Sequence, residues 1–164
     1  YPDIRSTSPG QEKNYKKYIL FLAEISDSLK VEMLCIGTEL KTYTANHPEF
    51  FIKLIEDVRK IYKGKITYAA NWDEYKLVRF WDKLDYSCLD DYFPLSPKTE
   101  QINYLAQTNA YTALYNTIWK EDFIAGGFLW KWYNETNLDK NNSDYTPQEK
   151  PVQQMIKKQY AKKF

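Results

Sequence analysis

The run Val31-Glu32-Met33-Leu34-Cys35-Ile36-Gly37-Thr38-Glu39-Leu40 constrains this chain more than any other stretch. Its apolar residues stop abruptly at Gly-Thr-Glu. It is too short for a free-standing helix and lies between two amphipathic helical patterns. Such a run reads as a buried parallel strand. A carboxylate at the carboxyl end of a strand of this kind sits where barrels of alternating strands and helices place catalytic groups. Glu39 also fits a surface acid that opens a loop, and the strand context alone leaves both readings open.

The rest of the chain extends the alternation. Tyr1 to Gln11 is irregular, broken by Pro2, Pro9 and Gly10. A helix is expected from Glu12 to Leu29, with Tyr15, Tyr18, Ile19, Leu22, Ile25 and Leu29 on one face. The first strand covers 31–37, and 41–46 reads as a polar loop. A second helix begins at Asn46 or His47, with Pro48 in the first turn. It buries Phe51, Leu54, Ile55 and Val58 and ends at Lys63-Gly64, where Gly64 suits a left-handed cap. Strands follow at 65–71 and 85–90, with a short helical stretch at 74–84 between them. After Pro94 and Pro97 a helix over about 100–120 leads to a fourth strand at 124–130. A loop at 134–144 and a terminal helix from Pro151 to about Lys162 complete the pattern.

Alternating strands and helices imply a parallel sheet with right-handed crossovers, an α/β fold. Four such strands are half of an eight-stranded barrel, which needs roughly 250 residues. A chain of 164 residues is therefore expected to be one partial (β/α)8 TIM barrel domain over 1–164.

Composition removes several classes of function. A net charge of +1 without a basic stripe argues against a nucleic-acid partner. No apolar run is long enough to span a bilayer. Cys35 and Cys88 lie in apolar strands and read as buried, unpaired thiols. His47 is the single histidine and precedes Pro48 at a helix start, where capping or solvation is its expected role. A Cys/His zinc site and a Ser-His-Asp triad are thereby disfavoured. Hydrolytic chemistry is left to carboxylates, and no metal or other cofactor is expected.

The strand ends carry the chemistry. They read Gly37-Thr38-Glu39, Asn71-Trp72-Asp73, Asp90-Asp91-Tyr92 and Trp130-Lys131-Trp132. In a parallel barrel these ends converge on one face, bringing together carboxylates, an amide and flat rings. That set suits an oligo- or polysaccharide: aromatic faces take sugar C–H surfaces, and Asp and Asn pair with hydroxyls. Glycoside hydrolysis needs one carboxylic acid to protonate the leaving oxygen and a second carboxylate beside it. Asn71, Trp72, Asp90 and Trp130 are the candidate binding residues. Each has a plainer alternative, Trp130 as core closure, Trp72 as a helix-end shield and Asp90 as a holder of loop amides. Lys131 and Asp91 read as surface residues, and Trp81 and Trp119 as packing.

The runs Met33-Leu34-Cys35-Ile36-Gly37-Thr38-Glu39-Leu40, Gly64-Lys65-Ile66-Thr67-Tyr68-Ala69-Ala70-Asn71-Trp72-Asp73-Glu74, Phe80-Trp81-Asp82-Lys83-Leu84-Asp85-Tyr86 and Ala125-Gly126-Gly127-Phe128-Leu129-Trp130-Lys131-Trp132 resemble glycoside hydrolase family 113. Those proteins are (β/α)8-barrel β-mannanases of the large retaining clan. The Thr146-Pro147-Gln148-Glu149-Lys150-Pro151 ending resembles the family too. The resemblance implies Glu39 as the general acid/base at the end of barrel strand 4, with 65–71, 85–90 and 124–130 as strands 5, 6 and 8.

The departures are specific. The family's strand 7, with its nucleophilic Glu, has no counterpart between Pro94 and Gln101, and strands 1 to 3 are not found. Cys88 stands where the family has Gly, Asp91 where it has Ala, and Thr38 where the clan has Asn. Two other readings follow from these departures: a non-catalytic carbohydrate-binding or assembly protein derived from such a barrel, and an interaction scaffold whose aromatics are only core. Strands 4, 5, 6 and 8 cannot close a barrel. The sequence is therefore expected to join pieces of a longer protein, near Ser96 to Gln101 and within Arg5 to Glu12.

Overall fold

The strand expected around Leu34 is present. β1 (Met33–Thr38) buries Leu34 and Ile36, while Met33 and Cys35 face the other way and are exposed. This computed structural model describes residues 9–91, 103–129, 132–134 and 145–162. Ahead of β1 lies α1 (Pro9–Ser28). After it come α2 (Lys41–Asn46), α3 (Pro48–Ile61), β2 (Lys65–Asn71) and β3 (Tyr86–Asp90). The strands are parallel in the order β1-β2-β3, with Cys35 beside Thr67 and Asn71 beside Asp90. The chain divides into two compact units, the first ending at Phe93.

The core of the first unit lies between α1, α3 and one face of the sheet. Phe51, Leu54, Ile55 and Val58 of α3 are buried, as their spacing predicts. Full burial of each such side chain contributes about 1.5–3 kcal/mol. Phe51 stacks on Phe80 with ring centres 4.9 Å apart, and meets Tyr68 edge-on at 5.7 Å. From α1, Tyr15, Ile19 and Ala23 are buried, and the Tyr15 hydroxyl donates to the Ile36 carbonyl at 2.9 Å. The buried line then passes through Ser26, so Ile25 and Leu29, expected inward, are exposed.

Other expectations are corrected here. Residues 41–46 are a helix rather than a polar loop; Tyr43 and Thr44 are both buried and anchor it. Residues 72–77 form turns and Trp81–Lys83 a single 3-10 turn, in place of a helix over 74–84. Gly64 is not left-handed. α3 ends at Tyr62 in an extended conformation, and a side chain at 64 would overlap the Tyr62 ring. The glycine serves close approach rather than a cap. His47 makes no side-chain cap bond and stacks on Tyr43 with centres 4.6 Å apart. Cys35 and Cys88 are free, as expected, but Cys35 is exposed and Cys88 half-buried. Both share the sheet face turned away from α1 and α3, which the period of two assigns to neither helix.

The second unit pairs α4 (Tyr104–Asn116) with α5 (Val152–Tyr160). Tyr115, Val152 and Ile156 are its buried centre, and Trp119 meets Tyr115 edge-on at 5.0 Å. Asn103 caps α4 by accepting the Ala106 N–H at 2.9 Å. The Gln148 amide makes a two-way bridge to Tyr133, accepting its N–H at 2.7 Å and donating to its carbonyl at 3.1 Å. The conspicuous run from Thr146 to Lys150 is thus buried scaffold. Residues 124–129 form no ladder among the described residues, against the expected fourth strand, and Phe128 is fully exposed. An extended segment becomes a strand only when its backbone groups find a partner strand. Trp130 and Lys131 lie outside the described residues, as does the expected join at Ser96 to Gln101, together with residues 5–8 of the other.

Candidate active site

The carboxyl ends of the three strands gather most of the residues singled out by sequence. Asn71 is the last residue of β2 and lies in register with Asp90, the last of β3. Trp72 follows at once, half-buried, with its N–H donating to the Asp90 carbonyl at 3.2 Å. Glu39 comes directly after β1, and its N–H donates to the Ala69 carbonyl at 2.9 Å. β1 is an edge strand of the described sheet rather than the central one. Glu39, Asn71, Trp72 and Asp90 are therefore brought to one end; Trp130 is outside the described residues.

The Glu39 backbone is unusual. Its φ is +52°, a left-handed conformation that costs a non-glycine residue about 1–2 kcal/mol. Such strain persists only where surrounding bonds impose it. Here the Glu39 N–H is tied to β2, and the next N–H, that of Leu40, donates to the Tyr68 hydroxyl at 2.8 Å. α2 begins straight after, with the Leu40 carbonyl accepting from the N–H groups of Tyr43 and Thr44.

Electrostatics shift the acids at this end upward. Glu39 is exposed as a residue, with its carboxyl partly desolvated. That desolvation, then the charges of Asp90, Glu74 and Asp73, raise its pKa above the ordinary carboxylate value. Burial likewise raises Asp90. Asp73 is paired with Lys41 at 2.6 Å. Among the described residues the buried Asn71 Oδ1 has no hydrogen-bond partner, an acceptor at the same strand ends as these acids. Asp91 is exposed.

Sequence reading missed Glu74. It is fully buried. Its Oε1 accepts from the Tyr68 hydroxyl at 2.5 Å and lies 3.0 Å from Thr44 Oγ1, while its Oε2 accepts the Asn71 N–H at 3.2 Å. The only signal was its place at the end of the Asn71-Trp72-Asp73-Glu74 run. Among the described residues no three His, Cys, Asp or Glu side chains are grouped to hold a metal ion, and no helix is long and apolar enough to cross a membrane. A shallow depression bounded by Ser26, Val31, Tyr62 and Gly64 lies at the opposite, amino-terminal end of the strands, away from the acids.

A parallel strand–helix sheet with acids grouped at its carboxyl end is the architecture of barrel enzymes that work with carboxylates. The sequence model of Glycoside Hydrolase Family 113 matches residues 12–111, and the chain belongs to that family. Two solved structures of GH113 β-1,4-mannanases share its fold. One, a complex, has a TM-score of 0.73 at 22% identity, covering 93% of this chain and 63% of its own. The other has a TM-score of 0.74 at 21% identity, covering 95% and 64%. The GH113 β-mannanase AaManA from Alicyclobacillus acidocaldarius, in complex with ManMIm, has a TM-score of 0.50 at 29% identity, covering 52% and 27%. The chain thus spans less than two thirds of the length of each of these structures. No match was found among curated proteins. The family's proteins are (β/α)8 barrels, and the described three-stranded parallel sheet is consistent with part of one.

Proposed function

We propose that this chain is part of a retaining glycoside hydrolase acting on β-1,4-mannan or a related β-glycan, with Glu39 as general acid/base. In this reading both units belong to one barrel domain, and β1, β2 and β3 are barrel strands 4, 5 and 6. The observation that carries it is Glu39 itself, which follows a parallel strand directly, is held in a left-handed turn and has a carboxyl raised by burial and by Asp90, Glu74 and Asp73. A general acid needs its pKa raised toward the working pH, and that environment shifts Glu39 in that direction. Glu39 protonates the glycosidic oxygen and later takes a proton from the attacking water. Trp72 and Trp130 are the aromatic candidates for stacking on sugar faces, and Asn71 and Asp90 the candidates for pairing with hydroxyls. No metal takes part.

The chemistry also needs a nucleophilic carboxylate about 5–5.5 Å from the acid, and the sequence shows no counterpart of the family's strand-7 Glu. That departure, with Thr38 in place of Asn, favours a second reading, a carbohydrate-binding protein without turnover. A reducing-end assay of the full gene product on β-1,4-mannan separates the two. Release of new reducing ends supports the hydrolase, and saturable mannan binding without release supports the binding protein.

A further inference from the structure

Glu74 is a fully buried acid in the first unit, and two of its contacts, Tyr68 and Thr44, lead back to the segment that follows Glu39. The Tyr68 hydroxyl accepts the Leu40 N–H, so its own proton is free for Glu74 Oε1. Thr44 of α2 reaches the same oxygen. The Asn71 N–H occupies Oε2. A carboxylate meeting donors on both oxygens is matched to its site; a primary amide of the same shape fits less well, because its NH2 would face the Tyr68 and Thr44 hydroxyls only if these turn from donors into acceptors, leaving the Tyr68 O–H without its carboxylate acceptor. Leu40 follows Glu39 directly as the residue before α2, and Thr44 lies within α2 with its N–H on the Leu40 carbonyl. Lys41, between them, is paired with Asp73.

We propose that Glu74 is a positioning residue for Glu39: through Tyr68 and Thr44 its buried carboxylate holds Leu40 and the start of α2, and so fixes the left-handed turn that carries Glu39. The inference rests on the reading of Glu39 as the acid/base. Glu74 also acts on Glu39 through its charge. Among the described residues the charged groups facing Glu39 are Asp90 from β3 and Asp73 and Glu74 from the turn after β2, with Lys41 from α2 paired to Asp73. Removing the Glu74 charge lowers the Glu39 pKa, because one of the repulsions that disfavour its ionised form is gone. The alkaline limb of the activity profile, where the acid loses its proton, then moves to lower pH.

The test compares Glu74→Gln and Tyr68→Phe with wild type by two measurements on the full chain. These are the carboxyl-carbon NMR titration of Glu39, and amide exchange at Leu40 relative to Val58 deep in α3. Glu74→Gln is expected to lower the Glu39 midpoint and to speed Leu40 exchange about tenfold more than Val58 exchange. Tyr68→Phe is expected to speed Leu40 exchange selectively while leaving the Glu39 midpoint close to wild type, since the charge stays. It keeps the ring and tests the proposal even if Glu74→Gln does not fold. In the full gene product a displaced acid lowers kcat up to about 10²-fold, with the alkaline limb moving down in Glu74→Gln alone. An unchanged Glu39 midpoint in folded Glu74→Gln, or Leu40 exchange that follows Val58 in both variants, overturns the proposal. Neither NMR readout depends on turnover. If Glu39→Gln keeps normal turnover, the assignment of Glu39 fails while the coupling to Glu74 is judged on the NMR results alone.

Discussion

The abrupt glycine in Gly37-Thr38-Glu39 has a structural reason that a single methyl group can test. A Cβ at position 37 would lie 2.9 Å from Tyr68 Cε2, 3.0 Å from the Tyr15 hydroxyl and 3.1 Å from Tyr68 Cδ2. Neither ring is free to retreat. Tyr68 is fully buried among Phe51, Phe80 and Trp81, and its hydroxyl is tied to Glu74 and Leu40. Tyr15 is held by its bond to Ile36. Overpacking of this kind costs about 1–3 kcal/mol. The alanine recovers about 0.4–1 kcal/mol by restricting the unfolded chain. The net expectation for Gly37→Ala is a loss of about 1–2 kcal/mol. Gly10→Ala is the control, since nothing lies within 4 Å of a Cβ there. That site is in the first turn of α1, where alanine is expected to be neutral or to gain less than the roughly 0.5–1 kcal/mol of a helix interior. Urea titrations followed by far-UV circular dichroism measure both variants. Gly37→Ala at wild-type stability, or above it, would refute the claim that this glycine makes room for the two tyrosines.

Two further outcomes follow from the first unit. Asp57 meets Lys16 and Lys60 at 2.6 Å each, with Lys53 at 3.7 Å, and those bonds hold its carboxyl below the usual value. The unfolded chain binds the proton more readily, so this contribution is present above the free carboxyl value near 3.9 and is lost as pH falls below it. Asp57→Asn should flatten the acid limb of stability against pH, and an unchanged limb would count against the cluster. Cys35 is exposed, whereas the Cys88 thiol is raised by burial and by the charge of Asp90. A disulfide reagent should modify Cys35 first in mass-spectrometric time courses, and faster labelling of Cys88 would contradict the described sheet face.

The parts legible in the sequence are those where hydrophobic period and punctuation agree. β2 was read as 65–71 because Lys63-Gly64 and Asn71-Trp72 bracket an apolar run, and it spans Lys65–Asn71. The α3 stripe was read because its apolar spacing matches a helix turn. α2 was not, since Lys41-Thr42-Tyr43-Thr44-Ala45-Asn46 has turn formers and no stripe. Its helicity comes from Tyr43 packing on Phe50 and Phe51 and from Thr44 reaching Glu74. Glu74 itself was invisible for the same reason, because a buried charge is recognised by its donors, which only the fold assembles. That the cysteines are unpaired was legible, but their exposure was not, because apolar composition does not say which sheet face has a cover. The gathering of Glu39, Asn71 and Asp90 was legible because parallel strands share a carboxyl end, and the order β1-β2-β3 matches the consecutive strands 4, 5 and 6 that the family resemblance implies.

The central claim is that Glu39 supplies the proton in glycoside cleavage, and Glu39→Ala in the full gene product tests it most directly. On β-1,4-mannan, a poor leaving group, loss of the acid should lower kcat about 10²- to 10⁴-fold. An aryl glycoside with an acidic leaving group needs little protonation, so its cleavage should fall less. Added azide should restore turnover by intercepting the glycosyl-enzyme, giving the glycosyl azide with retained configuration. Wild-type protein that does not cleave mannan, or a variant that cleaves it as fast as wild type, would contradict the account.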